Sequence, residues 1–331
     1  MKWSYRTNGS VHSSPFVYES SVFLGSADGS LYALNIDSGQ LIWKFDSQGE
    51  KMLDIWDYYL SSPIAYNGIV YWGSGDGFLY AINCKTGKPE WKFEAKGIVH
   101  ATPLASEGKV FFGDFSDYFY ALNAENGDLI WQFRTIGNTY FPNGEIQKAA
   151  TIDKDILYFG SRDYNIYALN AQTGRGHWNM KELGSWIIAT PFVHDDYVYF
   201  GTSDTHRFYC LSKNSGKIVY QIPVPMRVYG SAIEHNGIIY FGCFDGILRG
   251  VDAKTGELKW HFQTDGSKEN HNKIYNAEGK LRDSFELYGE DYLESERLIH
   301  TLGSILSTPV VEGNVIFFGS SDGGLYTVNL N

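Results

Sequence analysis

The stretch Leu31-Tyr32-Ala33-Leu34-Asn35, followed by Ser38-Gly39 and Trp43, decides how this chain folds, because it recurs. It returns as Leu79-Tyr80-Ala81-Ile82-Asn83, Thr86-Gly87 and Trp91, and more loosely along the whole chain. Ahead of it, the first copy carries Ser13-Ser14-Pro15, the run Val22-Phe23-Leu24-Gly25, and Asp28-Gly29. The glycine that ends the second run recurs at Gly25, Gly73, Gly113, Gly160, Gly201, Gly242 and Gly319, at steps of 48, 40, 47, 41, 41 and 77 residues. A base period near 40 is the length of a four-stranded propeller blade.

Within each copy, β-branched and aromatic residues fill short runs. Turn residues punctuate them, as at Tyr66-Asn67-Gly68 and His235-Asn236-Gly237, in the manner hairpins require. The expected fold class is all-β: a seven-bladed β-propeller of four-stranded antiparallel blades (strands A to D), one domain spanning residues 1–331. The aromatic that closes strand D falls at Trp43, Trp91, Trp131, Trp178, Tyr220 and Trp260, and the seventh repeat stops at Asn331 after its third strand. Lys2-Trp3-Ser4-Tyr5 is expected to supply the missing outer strand, because Trp3 precedes Pro15 by the same 12 residues that separate Trp91 from Pro103. That pairing closes the ring and removes an open edge.

These residues resemble the repeat of the pyrroloquinoline-quinone-like (PQQ-like) propellers, Gly-x-Leu-Tyr-Ala-Leu-Asp/Asn-x-x-Thr-Gly-x-x-x-Trp, over the whole chain except three loop expansions. The resemblance implies that the Trp packs between neighbouring blades. It implies a fold more than a function, since one scaffold carries many sites. The quinoprotein dehydrogenases of that superfamily are longer and set adjacent cysteines over their cofactor. Here there is no Cys-Cys pair, so no cofactor is expected, PQQ included.

The formal net charge of -11, with no Lys or Arg run, argues against nucleic acid as a partner. Cys84, Cys210 and Cys243 are too dispersed for a disulfide framework or a zinc pair and read as buried thiols. No apolar run approaches a membrane span. The opening residues lack a signal-peptide apolar core; the expected location is cytoplasmic as given, or periplasmic or extracellular if a signal peptide has been removed, and the expected state is a monomer. The aspartates of the B–C loops (Asp28, Asp76, Asp163, Asp204, Asp245, Asp322) occur singly and read as turn residues, so no metal site is expected.

From each strand-D aromatic to the next proline position the spacing runs 12, 20, 12, 19, 13, 12 and 49. All extra sequence therefore sits in the connections from strand D to the next strand A: Gln48 to Leu60, Ile136 to Gln147, and the insertion 265–304 between blades 6 and 7. Growth of loops on one face of a rigid scaffold is how binding sites are built; the alternative is a loop that only covers the channel. The second half of the insertion reads as a short helix ending near Gly303.

An ungapped alignment places His12, Leu60, His100, Gln147, Ile188, Tyr229 and Leu306 at the entry to strand A. The next ring is Ser13, Ser61, Ala101, Lys148, Ala189, Gly230 and Ser307. His12, His100, Lys148 and Tyr229 are the candidate catalytic groups, able to act as acid, base or anion clamp; the structural alternative is hydrogen bonding to loop carbonyls around a channel. The candidate ligand contacts are Trp56, Tyr59, Gln147, Trp186, Arg227, His271, Tyr275 and His300, with Tyr58, Tyr140 and Phe141 as further loop aromatics. Arg249 stands where other repeats have Tyr32, Tyr80 and Tyr120, and is expected to pair with a carboxylate of the insertion. The function expected is a non-catalytic binding scaffold for a peptide, protein or glycan. The alternative is a carbohydrate-active enzyme, a polysaccharide lyase or glycoside hydrolase.

Overall fold

A computed structural model describes residues 2–54, 57–139 and 143–330. Its strands form seven antiparallel sheets, one per repeat, six with four strands and the last with three. The seven-bladed β-propeller class therefore stands. The first sheet shows the plan, with strands Phe16–Tyr18, Ser21–Ser26, Ser30–Asn35 and Leu41–Asp46 side by side in chain order. The chain divides into two compact units, Met1–Asn179 and Met180–Asn331. The first holds the sheets that begin at Phe16, Ile64, Leu104 and Thr151; the second holds those that begin at Phe192, Ile233 and Val310, with two helices.

The repeat's chemistry explains the sheet. Strand C is covered on both faces, so Leu31, Tyr32, Ala33 and Leu34 are all buried. Ala33 lies opposite Trp43, and the register slips just after it. The same small-against-large pair and slip recur at Ala81 and Trp91, Ala121 and Trp131, Cys210 and Tyr220, and Gly250 and Trp260. A bulge at one fixed position re-aims the aromatic.

That aromatic couples neighbouring blades. Trp43 Nε1 donates to Cys84 O at 2.9 Å, and Trp131 Nε1 donates to Ala171 O at 3.0 Å. The glycine of the next blade's Thr-Gly is the seat: at Gly87, with φ +68°, an added Cβ would lie 2.7 Å from the Trp43 ring. Trp3 does the same to the first blade, donating to Ile36 O at 2.9 Å while an added Cβ at Gly39 would lie 2.5 Å from its ring. The N-terminal segment thus serves the first blade as strand D serves the next. Residues 2–5 carry no strand assignment, and the last sheet has only Val310–Glu312, Val315–Gly319 and Leu325–Asn329. The ladder expected there is absent from the strand pairings among the described residues; Trp3's seat is the observed part of the closure.

The insertion carries two helices, α1 (Asp265–Ile274) and α2 (Tyr292–His300). The sequence signalled α2 alone. The polar run of α1 hides it, yet Thr264 caps it by accepting a hydrogen bond from Ser267 N, which satisfies an orphan donor of the first turn.

Candidate functional site

Four of the D–A connections run between two B–C loops and are pinned to both. Val99 N donates to Ser74 O, while Ile98 O accepts from Phe115 N. Ile146 with Glu145, Val228 with Arg227, and Ile305 with Ser304 repeat this pattern. The register therefore makes Gln147 and Tyr229 equivalent to His100, and Lys148 equivalent to Ala101, as in the ungapped alignment. The second ring is small for a reason. Ser13, Ser61 and Ser307 turn their hydroxyls onto the backbone of the strand-B glycines, accepting from Gly25 N, Gly73 N and Gly319 N at 3.0–3.1 Å.

In the first unit, the first expansion folds back over the B–C loops. His100 is buried between two of its carboxylates: Nδ1 lies 2.8 Å from Asp57 Oδ2, and Nε2 lies 2.5 Å from Glu50 Oε1. Burial pushes the imidazole down, but the hydrogen bonds and charges of Asp57 and Glu50 outweigh it and raise its pKa to about 9. His100 is thus an imidazolium at neutral pH with both nitrogens occupied, which makes it a clamp rather than a base. Gly75 makes room for this, since a Cβ there would collide with Glu50 Oε1. A second clamp is Arg162, buried, with Nη1 and Nη2 at 2.6 and 3.2 Å from the two oxygens of Asp54. Nearby, burial pushes the Glu145 carboxyl up. Lys148 Nζ sits 3.2 Å from the Tyr59 ring centroid, and burial lowers its pKa to about 7.

In the second unit, the insertion is held by a comparable device. Arg227, 1% exposed, donates from Nη1 to Glu296 Oε1 on α2 at 2.6 Å and from Nη2 to Tyr288 OH at 3.3 Å. The Tyr288 hydroxyl also bonds Asp204. Tyr229 is buried, shares a hydrogen bond of 2.7 Å with Ser203, and is pushed up to about 12 by burial. His300 is lowered by burial and lies 6.0 Å from Phe244, ring to ring. His206 is lowered to about 4 by burial and then by the charge of Arg227.

The remaining candidates are dispersed. His12 is exposed. Gln147 and Tyr275 are buried, Tyr59 and Trp186 half-buried, and His271 stacks on Tyr275 with ring centroids 4.6 Å apart. Trp56, Tyr140 and Phe141 lie outside the described residues. Thus His100, Gln147, Lys148 and Tyr59 belong to the first unit; Tyr229, Trp186, Arg227, His271, Tyr275 and His300 belong to the second.

Arg249 requires a correction. It pairs with Asp245 of its own B–C loop, at 2.5 and 3.0 Å, and not with the insertion. The other blades give the reason: Tyr32, Tyr80 and Tyr326 each donate to Asp28, Asp76 and Asp322 at 2.6 Å. Arg249 replaces the tyrosine and keeps its aspartate. Sequence reading missed Glu50, Asp54, Asp57, Arg162, Tyr288 and Glu296. Arg162 left a trace, because its loop position holds Ala27, Gly75, Phe115, Ser203, Phe244 and Ser321 in the other repeats. The carboxylates sit in loops without period and left none.

A family model described as outer membrane protein assembly factor BamB matches residues 1–65, 59–185 and 162–331. Among solved structures, BamB from Moraxella catarrhalis superposes with a TM-score of 0.73 at 17% identity, covering 98% of this chain and 87% of that one. Quinohemoprotein alcohol dehydrogenase from Comamonas testosteroni superposes with a TM-score of 0.70 at 15% identity, covering 97% of this chain and 66% of that one. At such identities the likeness is one of fold. No curated protein matches the sequence.

Proposed function

This chain belongs to the PQQ-like repeat family of outer membrane protein assembly factor BamB, and from that premise we propose that it is a non-catalytic scaffold that binds a protein or peptide through its D–A connections. The observation that carries this reading is the exposure of large apolar side chains on those loops. Met52 is 64% exposed, Ile136 68%, Leu183 90% and Leu293 54%. Each of these connections holds a large apolar side chain out to solvent, which is what a protein partner buries on binding, and His100 and Arg227 keep their charges inside the clamps. A protein surface is the better match than a glycan, which needs polar groups free to hydrogen-bond. The reading needs no quinone. The test is affinity capture with cross-linking, comparing the wild type with Met52→Asp/Leu183→Asp/Leu293→Asp. Loss of the captured partner with an unchanged Tm is the expected result; retention of the partner overturns the reading.

One observation favours the carbohydrate-active alternative, namely Lys148, whose amine is held near neutrality in a ring of small residues. Turnover of a uronate polysaccharide that disappears in Lys148→Met would establish it.

A further inference from the structure

A cavity of about 490 Å³ opens on the other side of the first unit, where the A–B and C–D turns of the second and third blades meet. Tyr66, Ile69 and Tyr71 line it, with Asn123, Glu90 and Glu125. Tyr71 is buried at its back, its hydroxyl donating to Ala124 O at 2.8 Å. Tyr66 is half-buried, and Glu90 and Glu125 are exposed. No lysine or arginine lines the hollow.

The repeat shows that this pairing of charges is particular to one gap. The residue before the strand-D aromatic is Ile42, Ile130, His177, Val219 or Lys259 in other blades, and Lys2 before Trp3, against Glu90 here. The facing C–D turn position is Asp37, Lys85, Gln172, Asn214, Lys254 or Asn331 elsewhere, against Glu125 here. The gap between the first two blades therefore presents Ile42 and Lys85, and the gap between the third and fourth presents Ile130 and Gln172. Of these three gaps in the first unit, two carboxylates flank the hollow between the second and third blades alone.

We infer that this cavity is a binding site for an arginine-bearing basic peptide segment. A planar guanidinium can stack on Tyr66 while it pairs with a carboxylate in bidentate fashion, which an ammonium cannot do. The hollow falls within the 300–1,000 Å³ range of ligand pockets and is larger than a single side chain, so it takes the flanking peptide as well. This site is independent of the D–A loops and stands whether or not they bind a protein.

The test is fluorescence anisotropy with a labelled Gly-Arg-Gly-Arg-Gly peptide and its lysine counterpart. Glu90→Gln/Glu125→Gln should raise the Kd for the arginine peptide at least about tenfold, the scale of one lost charge-assisted contact. Glu19→Gln/Glu312→Gln, two exposed glutamates of the first and last blades, removes the same net charge and should leave it unchanged. Tyr66→Ala should abolish the preference for arginine over lysine, with Tm unchanged in the two double glutamine variants. Equal weakening by both double variants would show bulk attraction to an acidic surface and overturn the site. So would binding unaffected by Glu90→Gln/Glu125→Gln, no binding by the wild type, or equal affinity for the two peptides.

Discussion

His100 and Lys148 lie one residue apart in register and pull the pH dependence of stability in opposite directions. His100 has a folded pKa of about 9 against an ordinary 6.5, so the folded state holds a proton that the unfolded chain has lost. Its contribution is complete below pH 6.5 and disappears as pH rises through 9, worth roughly 3 kcal/mol at most. Lys148 has a folded pKa of about 7 against 10.5, so the unfolded chain binds the extra proton and stability rises with pH across that window. The two slopes offset each other in the wild type between pH 7 and 9. Urea titrations across that range should therefore show stability falling with pH in Lys148→Met and rising with pH in His100→Gln. Parallel profiles for the two variants would refute the assignment. None of this was legible in the sequence. The ring alignment put both residues near the axis, but the carboxylates that charge His100 come from an expansion without periodicity.

The blade is where sequence reading was most complete, because its determinants repeat. A small residue opposite the strand-D aromatic, a bulge after it and a glycine seat in the next blade are all visible as spacing. The tyrosine–aspartate bond was only half visible. The aspartates read as turn residues, while in the structure Tyr32 also donates to Asp28. Blade 6 tests this rule. Arg249→Met leaves Asp245, 1% exposed, without its cation and should cost about 3–5 kcal/mol, the scale for breaking a buried pair. Arg249→Tyr restores the partner that other blades use and should recover most of that loss in urea denaturation. If the two variants are equally unstable, the aspartate does not depend on its partner's hydrogen bond.

At the scale of the molecule, the insertion is a separable element whose anchoring can be set against its function. Its ends meet: an added Cβ at Gly266 would lie 2.9 Å from Gly303 N, so residues 267–302 form an excursion from one point on the second unit. Excising them and joining Gly266 to Gly303 is geometrically open. The cost lies at Arg227, which is 1% exposed and loses Glu296 and Tyr288 together. A buried, unpaired guanidinium is destabilising by several kcal/mol, so the excision alone should lower Tm sharply. Two of the equivalent connection positions hold Ser10 and Ser304, so Arg227→Ser in the excised background should restore much of the loss, although in the full-length chain the same substitution removes the Arg227–Glu296 pair and is itself destabilising. Such non-additivity is expected of residues that form one unit. If the rescued protein keeps the wild-type Tm and loses its captured partner, the insertion is the recognition element and Arg227 its anchor. If it keeps the partner, recognition lies with the shorter connections that carry Met52, Ile136 and Leu183, and the insertion serves stability alone.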